Sequence, residues 1–228
     1  MIPRPANPLI VALDVSEQRR AEELAGMLAG RVGMLKVGLE LFTAEGPRGI
    51  EAVARHAPVF LDVKLHDIPT TVRRAAVNAG RLGATLLTVH ALGGPEMVEG
   101  AVAGVKEGAE DAGREPPGVV AVTILSSLAE AAGASPASLA FEAVQAGAAG
   151  AVVSGEDVAV VREALGPEPL LVVPGIRPSG QPHNDHARIL TPAEAMENGA
   201  DYLVVGRPVT EAEDPAGVAA SILRGLPR

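Results

Sequence analysis

The sequence predicts an α/β protein of the (β/α)8 TIM-barrel kind, and three observations predict it. Eight short apolar runs recur along the chain, each followed by an amphipathic or alanine-rich stretch. None of the junctions carries the two-residue turn of a β-hairpin, so the strands are read as parallel. Eight is also the number that closes such a barrel, and 228 residues is an ordinary length for one. The main competitor is a doubly wound open sheet, which is disfavoured because no G-x-G-x-x-G follows the first run.

The first strand is read at 9–14 (LIVALD), with a helical period following over SEQRRAEELAGMLAG, 16–30. The second and third strands are read at 33–38 (GMLKVG) and 58–63 (PVFLDV). PTTVRRAAVNAGRLG (69–83) makes the next helix: Val72, Ala75, Ala76 and Ala79 fall on one side, while Arg73, Arg74 and Arg81 can face water. Strands four to six fall at 85–90 (TLLTVH), 119–124 (VVAVTI) and 150–153 (GAVV), with REPPG (114–118) a plain connector before the fifth. The last two are 169–173 (PLLVV) and 201–205 (DYLVV). Between them runs the one long irregular stretch, PGIRPSGQPHNDHARILTP (174–192). A loop of that length inside a compact domain is usually functional, often a lid. No shift in composition marks a boundary, so one domain over 1–228 is expected, with a lid at about 174–190.

Composition narrows the functions available. Hydrophobic residues make up 47% but aromatics only 2%, so Ala, Val, Leu and Ile must fill the core, as in parallel sheets covered by helices. A net charge of −9, with no basic block, argues against nucleic acid as a partner. Cysteine is absent, which removes disulfides, thiolate metal ligands and a cysteine nucleophile. No apolar stretch reaches the ~18 residues of a membrane span, and the start lacks a signal-peptide pattern. A soluble, cytoplasmic protein is expected.

Of the nineteen basic residues only three are lysine: Lys36, Lys64 and Lys106. Two of these end apolar runs, where burial is expected. Only an ammonium can shift its pKa far enough to give or take a proton, and it acts as a point charge where guanidinium is a fork. Asp62 and Asp67 flank Lys64. The alternative is arginine bias with two ordinary, partly buried ion pairs.

Barrel active sites lie at the C-terminal ends of the strands. The polar residues expected there are Asp14, Lys36, Asp62 with Lys64, His90 and Ser126, then Pro174 with the long loop, then Gly206 with Arg207. Several have simpler readings. Asp14 or Ser16 could cap the following helix, His90 could be a satisfied core histidine, and Ser126 could be another cap. Asp62 and Lys64 are harder to dismiss. Two apart on a strand, they share a face, and two charges in so apolar an interior need each other or a ligand. VVGRPV places Gly206 and Arg207 between the eighth strand and a helix start, where backbone N–H groups and a guanidinium converge on an anion. PGIR and VGRP follow strands seven and eight, the usual barrel phosphate site.

DVKLHDIPTTV (62–72) resembles the D-x-K-x-x-D-I-P-x-T signature of the orotidine 5′-phosphate decarboxylase family. LIVALDV, LKVG, VTILSS, PGIRP and DYLVVGRPVT follow in the expected order, so the similarity spans essentially the whole chain. The resemblance implies conversion of orotidine 5′-phosphate to UMP in de novo pyrimidine biosynthesis by a homodimer, with no cofactor and no metal. It implies a charge network of Lys36, Asp62 and Lys64, with Asp67 supplied by the neighbouring subunit and Lys64 protonating C6 of the pyrimidine. It further implies that Asp14 holds ribose hydroxyls and that Ile68 and Thr71 reach across the dimer interface. Ser126 would bond the pyrimidine edge, Pro174 would border the site, and Gly206, Arg207 and Arg177 would bind phosphate. One departure stands out. Relatives carry a glutamine in the long loop where this chain has His186, leaving Gln181 as the nearest substitute. The rival readings are a magnesium-dependent sugar-phosphate decarboxylase of the same barrel group, such as 3-keto-gulonate-6-phosphate decarboxylase, and a non-catalytic barrel that binds nucleotide phosphate. The first places an acidic residue on the second strand, where this chain has Lys36.

Overall fold

A computed structural model describes residues 5–124, 135–177 and 190–227. Its strands are β1 Leu9–Ala12, β2 Met34–Gly38, β3 Val59–Leu65, β4 Leu86–His90, β5 Gly118–Val122, β6 Gly150–Val152, β7 Leu170–Val173 and β8 Tyr202–Val205. All pair in parallel with their neighbours in sequence, and β8 closes on β1. The described helices are α1 Gln18–Leu28, α2 Leu39–Glu45, α3 Pro47–Ala54, α4 Pro69–Leu82, α5 Pro95–Asp111, α6 Pro136–Gln145, α7 Val158–Leu165, α8 Pro192–Glu197, α9 Arg207–Thr210 and α10 Pro215–Arg224. Many open on proline, whose missing N–H would be unpaired at that position anyway. No helix among the described residues is long and apolar enough to cross a membrane.

The expected (β/α)8 barrel is therefore the fold observed, with small shifts at strand ends. β1 and β5 stop short of 14 and 124, although Leu13 and Thr123 still donate backbone hydrogen bonds to the neighbouring strand. β3 runs on to Leu65 instead of ending at 63, because its pairing with β4 resumes there after a break in register.

Strand alternation builds two concentric apolar layers. Ile10, Ala12, Met34, Phe60, Leu86, Val120, Val122, Val172 and Val204 fill the barrel interior. Their sequence neighbours Leu9, Val11, Leu35, Leu61, Leu87, Val119, Val173 and Leu203 pack outward against the helices. Both faces are dry, which is why the strands read as unbroken apolar runs.

Two features fix the outer shell. α4 buries Val72, Ala76, Ala79 and Gly80, with Ala75 only half-buried, against α5. Their backbones nearly touch: a Cβ at Gly104 would lie 2.4 Å from the Arg73 carbonyl oxygen, and one at Gly108 1.9 Å from that of Val77. Arg73–Glu107 and Arg81–Asp111 ion pairs edge this seam. At the opposite end of the barrel from the expected site, the Arg162 guanidinium donates to the carbonyls of Gly166, Pro169 and Gly199. It also pairs with buried Asp201 at 2.6 Å.

Candidate active site

Extending the inward-facing register of each strand by one or two steps gives the polar cluster. Asp14 follows Ala12, Lys36 follows Met34, Asp62 and Lys64 follow Phe60, and Thr88 and His90 follow Leu86. They crowd the C-terminal mouth of the barrel because the interior below them is already filled. A cavity of about 150 Å³ opens beside them, lined by Lys36, Asp62, Lys64 and Pro174 together with Phe60, Val122, Ile124 and Val152.

The charges alternate in space. Lys36 Nζ lies 3.0 Å from Asp14 Oδ1 and 3.5 Å from Asp62 Oδ2, and Lys64 Nζ lies 2.8 Å from Asp62 Oδ1. Thr88 Oγ1 donates to the same Asp62 oxygen at 3.0 Å. Burial alone would raise the pKa of Asp62; the ammonium charges of Lys36 and Lys64, with the hydrogen bonds from Lys64 and Thr88, outweigh it and hold the carboxyl below its ordinary value. Asp62 is thus a carboxylate clamped between two cations. Asp14 caps no helix: the residue before α1 is Glu17, which makes no side-chain cap, and the Asp14 carboxylate is instead committed to Lys36.

Lys64 is placed by an unusual backbone. Among the described residues it is the one non-glycine with positive φ, +49°. β3 and β4 pair at Leu61↔Leu87 and again at Leu65↔Val89. Three residues of β3 thus stand opposite Thr88 alone. Across the bulge Val63 stays on the outer layer while both Asp62 and Lys64 turn to the cavity, the faces their alternation predicts.

The structure describes some of the remaining expected residues and not others. Asp67, Ile68 and Thr71 are exposed at the start of α4, and Asp67 Oδ1 accepts from the Ile68 N–H at 2.7 Å. None of the ion pairs among the described residues involves Asp67, so within one chain it stands apart from the other three charges. Gly206 closes against the site, a Cβ there lying 3.7 Å from Asp14 Oδ2, and Arg207 opens α9 beside it on the surface. Arg177 is buried, and its N–H meets the Leu190 carbonyl at 3.3 Å, joining the two described flanks of the long stretch. Ser126, Gln181 and His186 lie outside the described residues, as does most of the expected lid. His90 is a buried histidine with partners: its Nδ1 accepts from the Leu92 N–H at 3.3 Å, and its ring stacks on His66 with centroids 5.1 Å apart. No group of three or more His, Asp or Glu side chains among the described residues is arranged to hold a metal ion.

Two further contributors were not singled out from sequence. Gly38 makes room for the network, since a Cβ there would lie 2.8 Å from Lys36 Nζ and 3.1 Å from Asp14 Oδ1. Thr88 is fully buried against Asp62. Its inward register in β4, with Leu86 and His90, was the available signal.

A closed parallel barrel with a paired-charge centre at the C-terminal ends of its strands defines a TIM-barrel protein of the enzyme type. The chain belongs to the orotidine 5′-phosphate decarboxylase / HUMPS family, whose sequence model matches residues 7–222. The orotidine 5′-phosphate decarboxylase of Anaeromyxobacter sp. (strain K) is 51% identical over 98% of this chain and 100% of its own length. That of Paramagnetospirillum magneticum is 48% identical over 95% and 97%. In three dimensions, the crystal structure of orotidine 5′-phosphate decarboxylase from Lactobacillus acidophilus superposes with a TM-score of 0.82 at 36% identity, covering 96% of this chain and 98% of that one.

Proposed function

We propose that this chain removes CO₂ from orotidine 5′-phosphate to give UMP, the decarboxylation step of de novo pyrimidine synthesis. The observation that carries the reading is the Lys36–Asp62–Lys64 array at the mouth of a small, mostly apolar cavity, joined to Asp14. Family membership over residues 7–222 supports it.

Departure of the 6-carboxylate leaves an electron pair in the plane of the ring, where no π system delocalises it. Stabilisation must then come from charge fixed in advance and from a proton donor close at hand. Lys64 supplies both, its ammonium approaching C6 and transferring a proton to the carbanion. Asp62 holds that ammonium and, with Lys36, fixes its direction. The apolar cavity wall keeps the charges in a low-dielectric setting, where they act more strongly than in water. Asp14 receives the ribose hydroxyls, and Gly206, Arg207 and Arg177 receive the phosphate. Ser126 bonds the pyrimidine edge, and Gln181, from the lid at about 174–190, contacts the phosphate and the base. A phosphate remote from the reacting carbon then supplies binding energy for closure and exclusion of water.

The protein works as a cytoplasmic homodimer of single-domain barrels, with Asp67, Ile68 and Thr71 reaching the partner's site. Ile68 is 67% exposed, and Leu39 and Leu92, at the ends of the adjacent strands, are 53% and 46% exposed. Apolar exposure at the site end of the barrel is what a second subunit would relieve. The magnesium-dependent sugar-phosphate chemistry has less support: the Lys36 ammonium already balances the carboxylates of Asp14 and Asp62, which a divalent cation would need.

The test is the fall in ultraviolet absorbance as orotidine 5′-phosphate becomes UMP, followed with EDTA present. Turnover is expected, and Lys64→Ala should abolish it while UMP still binds. No turnover by the wild-type chain refutes the function, and more than about a tenth of wild-type activity in Lys64→Ala removes Lys64 as the proton donor.

A further inference from the structure

The bulge in β3 is answered by one side chain. Thr88 is the lone β4 residue opposite Asp62, Val63 and Lys64, and it is wholly buried. Its hydroxyl oxygen accepts from the Lys64 backbone N–H at 2.8 Å and donates to Asp62 Oδ1 at 3.0 Å. The direction of both bonds is fixed by chemistry. A backbone N–H can only donate, so the hydroxyl hydrogen is released to the carboxylate, which can only accept. Residue 64, forced out of the regular ladder at φ +49°, thereby regains a partner for its N–H. The same Asp62 oxygen takes Lys64 Nζ at 2.8 Å. One hydroxyl therefore fixes both ends of Lys64: its backbone directly and its ammonium through Asp62.

We infer that Thr88 is a positioning residue for the decarboxylation, its hydroxyl setting the backbone of Lys64 and the carboxylate of Asp62 so that the ammonium faces the reacting carbon. The inference rests on the functional reading above, since it assigns the purpose of the placement to that reaction. Thr88 touches no substrate in this scheme. Without its oxygen, the Lys64 N–H and one Asp62 lone pair lose their common partner. The positive-φ turn at residue 64 then loses its anchor, and the amine shifts from its set place beside Asp62.

Two pairs of variants isolate that oxygen: Thr compared with Thr88→Val, and Thr88→Ser compared with Thr88→Ala. The second pair makes the same one-atom contrast should Thr88→Val fail to fold. In each pair the member lacking the hydroxyl is expected to lose at least ~100-fold in kcat, the scale of a 1 Å misplacement, with UMP affinity within ~threefold. Thr88→Ser should restore most of what Thr88→Val loses. Because the chain has only three lysines, ¹⁵N-lysine labelling yields three backbone signals. Hydrogen exchange at the Lys64 amide should speed up by ~tenfold or more when the hydroxyl is removed. A kcat within threefold of the hydroxyl-bearing partner, an unchanged Lys64 amide, or a serine variant no better than valine each overturns the inference. If the wild-type chain does not turn over orotidine 5′-phosphate, the functional reading falls separately, and the labelled amide still decides whether Thr88 holds Lys64.

Discussion

Gly38→Ala separates the needs of the site from those of the fold. The backbone at residue 38 has φ −93° and ψ −173°, which alanine adopts without strain. The added methyl, however, would sit 2.8 Å from Lys36 Nζ and 3.1 Å from Asp14 Oδ1. Ordinary contact needs about 3.5 Å, so the ammonium must withdraw by roughly 0.7 Å. It now stands 3.0 Å from Asp14 and 3.5 Å from Asp62, and it cannot retreat without loosening one of them. The end of a lysine moves cheaply, so the fold should absorb the change at a cost of about 1 kcal/mol or less, roughly 2–4 °C in Tm for a chain of this size. Activity has no such slack. A displacement near 1 Å in a charged reaction centre costs ~100-fold in rate, or about 2.7 kcal/mol in the barrier. The assay is kcat/KM on orotidine 5′-phosphate beside a thermal melt of the same preparation. A folded variant with kcat/KM within threefold of wild type would refute the claim that the position of Lys36 is held to this tolerance. A melt lowered by more than about 10 °C would show that the methyl displaces backbone and not the ammonium.

Other outcomes follow from features away from residue 38. Arg162→Ala strips the buried Asp201 of its cation and several carbonyls of their donor, at an expected loss of about 3–5 kcal/mol in urea unfolding; a loss under 1 kcal/mol would contradict the clamp. For His90, burial first, then the charges of His66 and Lys64, hold the pKa below its ordinary 6.5. The unfolded chain therefore binds the proton more readily. Stability from neutral His90 is complete above pH 6.5 and is lost as pH falls through the lower folded-state value. His90→Gln should flatten that decline in urea midpoints measured down to pH 5.5, and an equally steep decline would remove His90 as its source. Mixing Asp67→Ala with Lys64→Ala protein should restore activity through hybrid dimers with one intact site, and silence despite proven subunit exchange would end the shared-site proposal.

Much of this architecture was legible because barrel strands announce themselves twice, by apolar runs and by the helical period between them. That Asp14, Lys36, Asp62 and Lys64 would meet at one mouth was readable because each stands at the C-terminal end of an apolar run, where the barrel brings strand ends together. The helix of 69–83 was placed almost to the residue, since Pro69 starts it and Gly83, at φ +74°, ends it. What escaped depends on contacts between distant segments. Threonine in TLLTVH is an ordinary strand former, and only the register break between β3 and β4 brings it onto Asp62. Gly38 looked like the end of a strand, and its purpose lies in what two other side chains place above it. The simpler reading of Asp14 as a helix cap failed because an ammonium 3.0 Å away outcompetes exposed backbone N–H groups for a carboxylate.

The close approach of α4 and α5 bears on how this protein can be hardened. Replacing helical glycine by alanine is a common route to higher stability, worth about 0.4–1 kcal/mol through the unfolded chain. That route is shut along this seam, where new methyls at Gly80, Gly104 or Gly108 would land 2.5, 2.4 or 1.9 Å from carbonyl oxygens of the facing helix. It stays open at Gly26 on α1, whose nearest neighbour would be a His56 ring atom at 3.8 Å. An engineer who counts glycines without looking across the helix pair would pry α4 from α5, and Asp67 and Thr71, at the leading end of α4, would be disturbed with it.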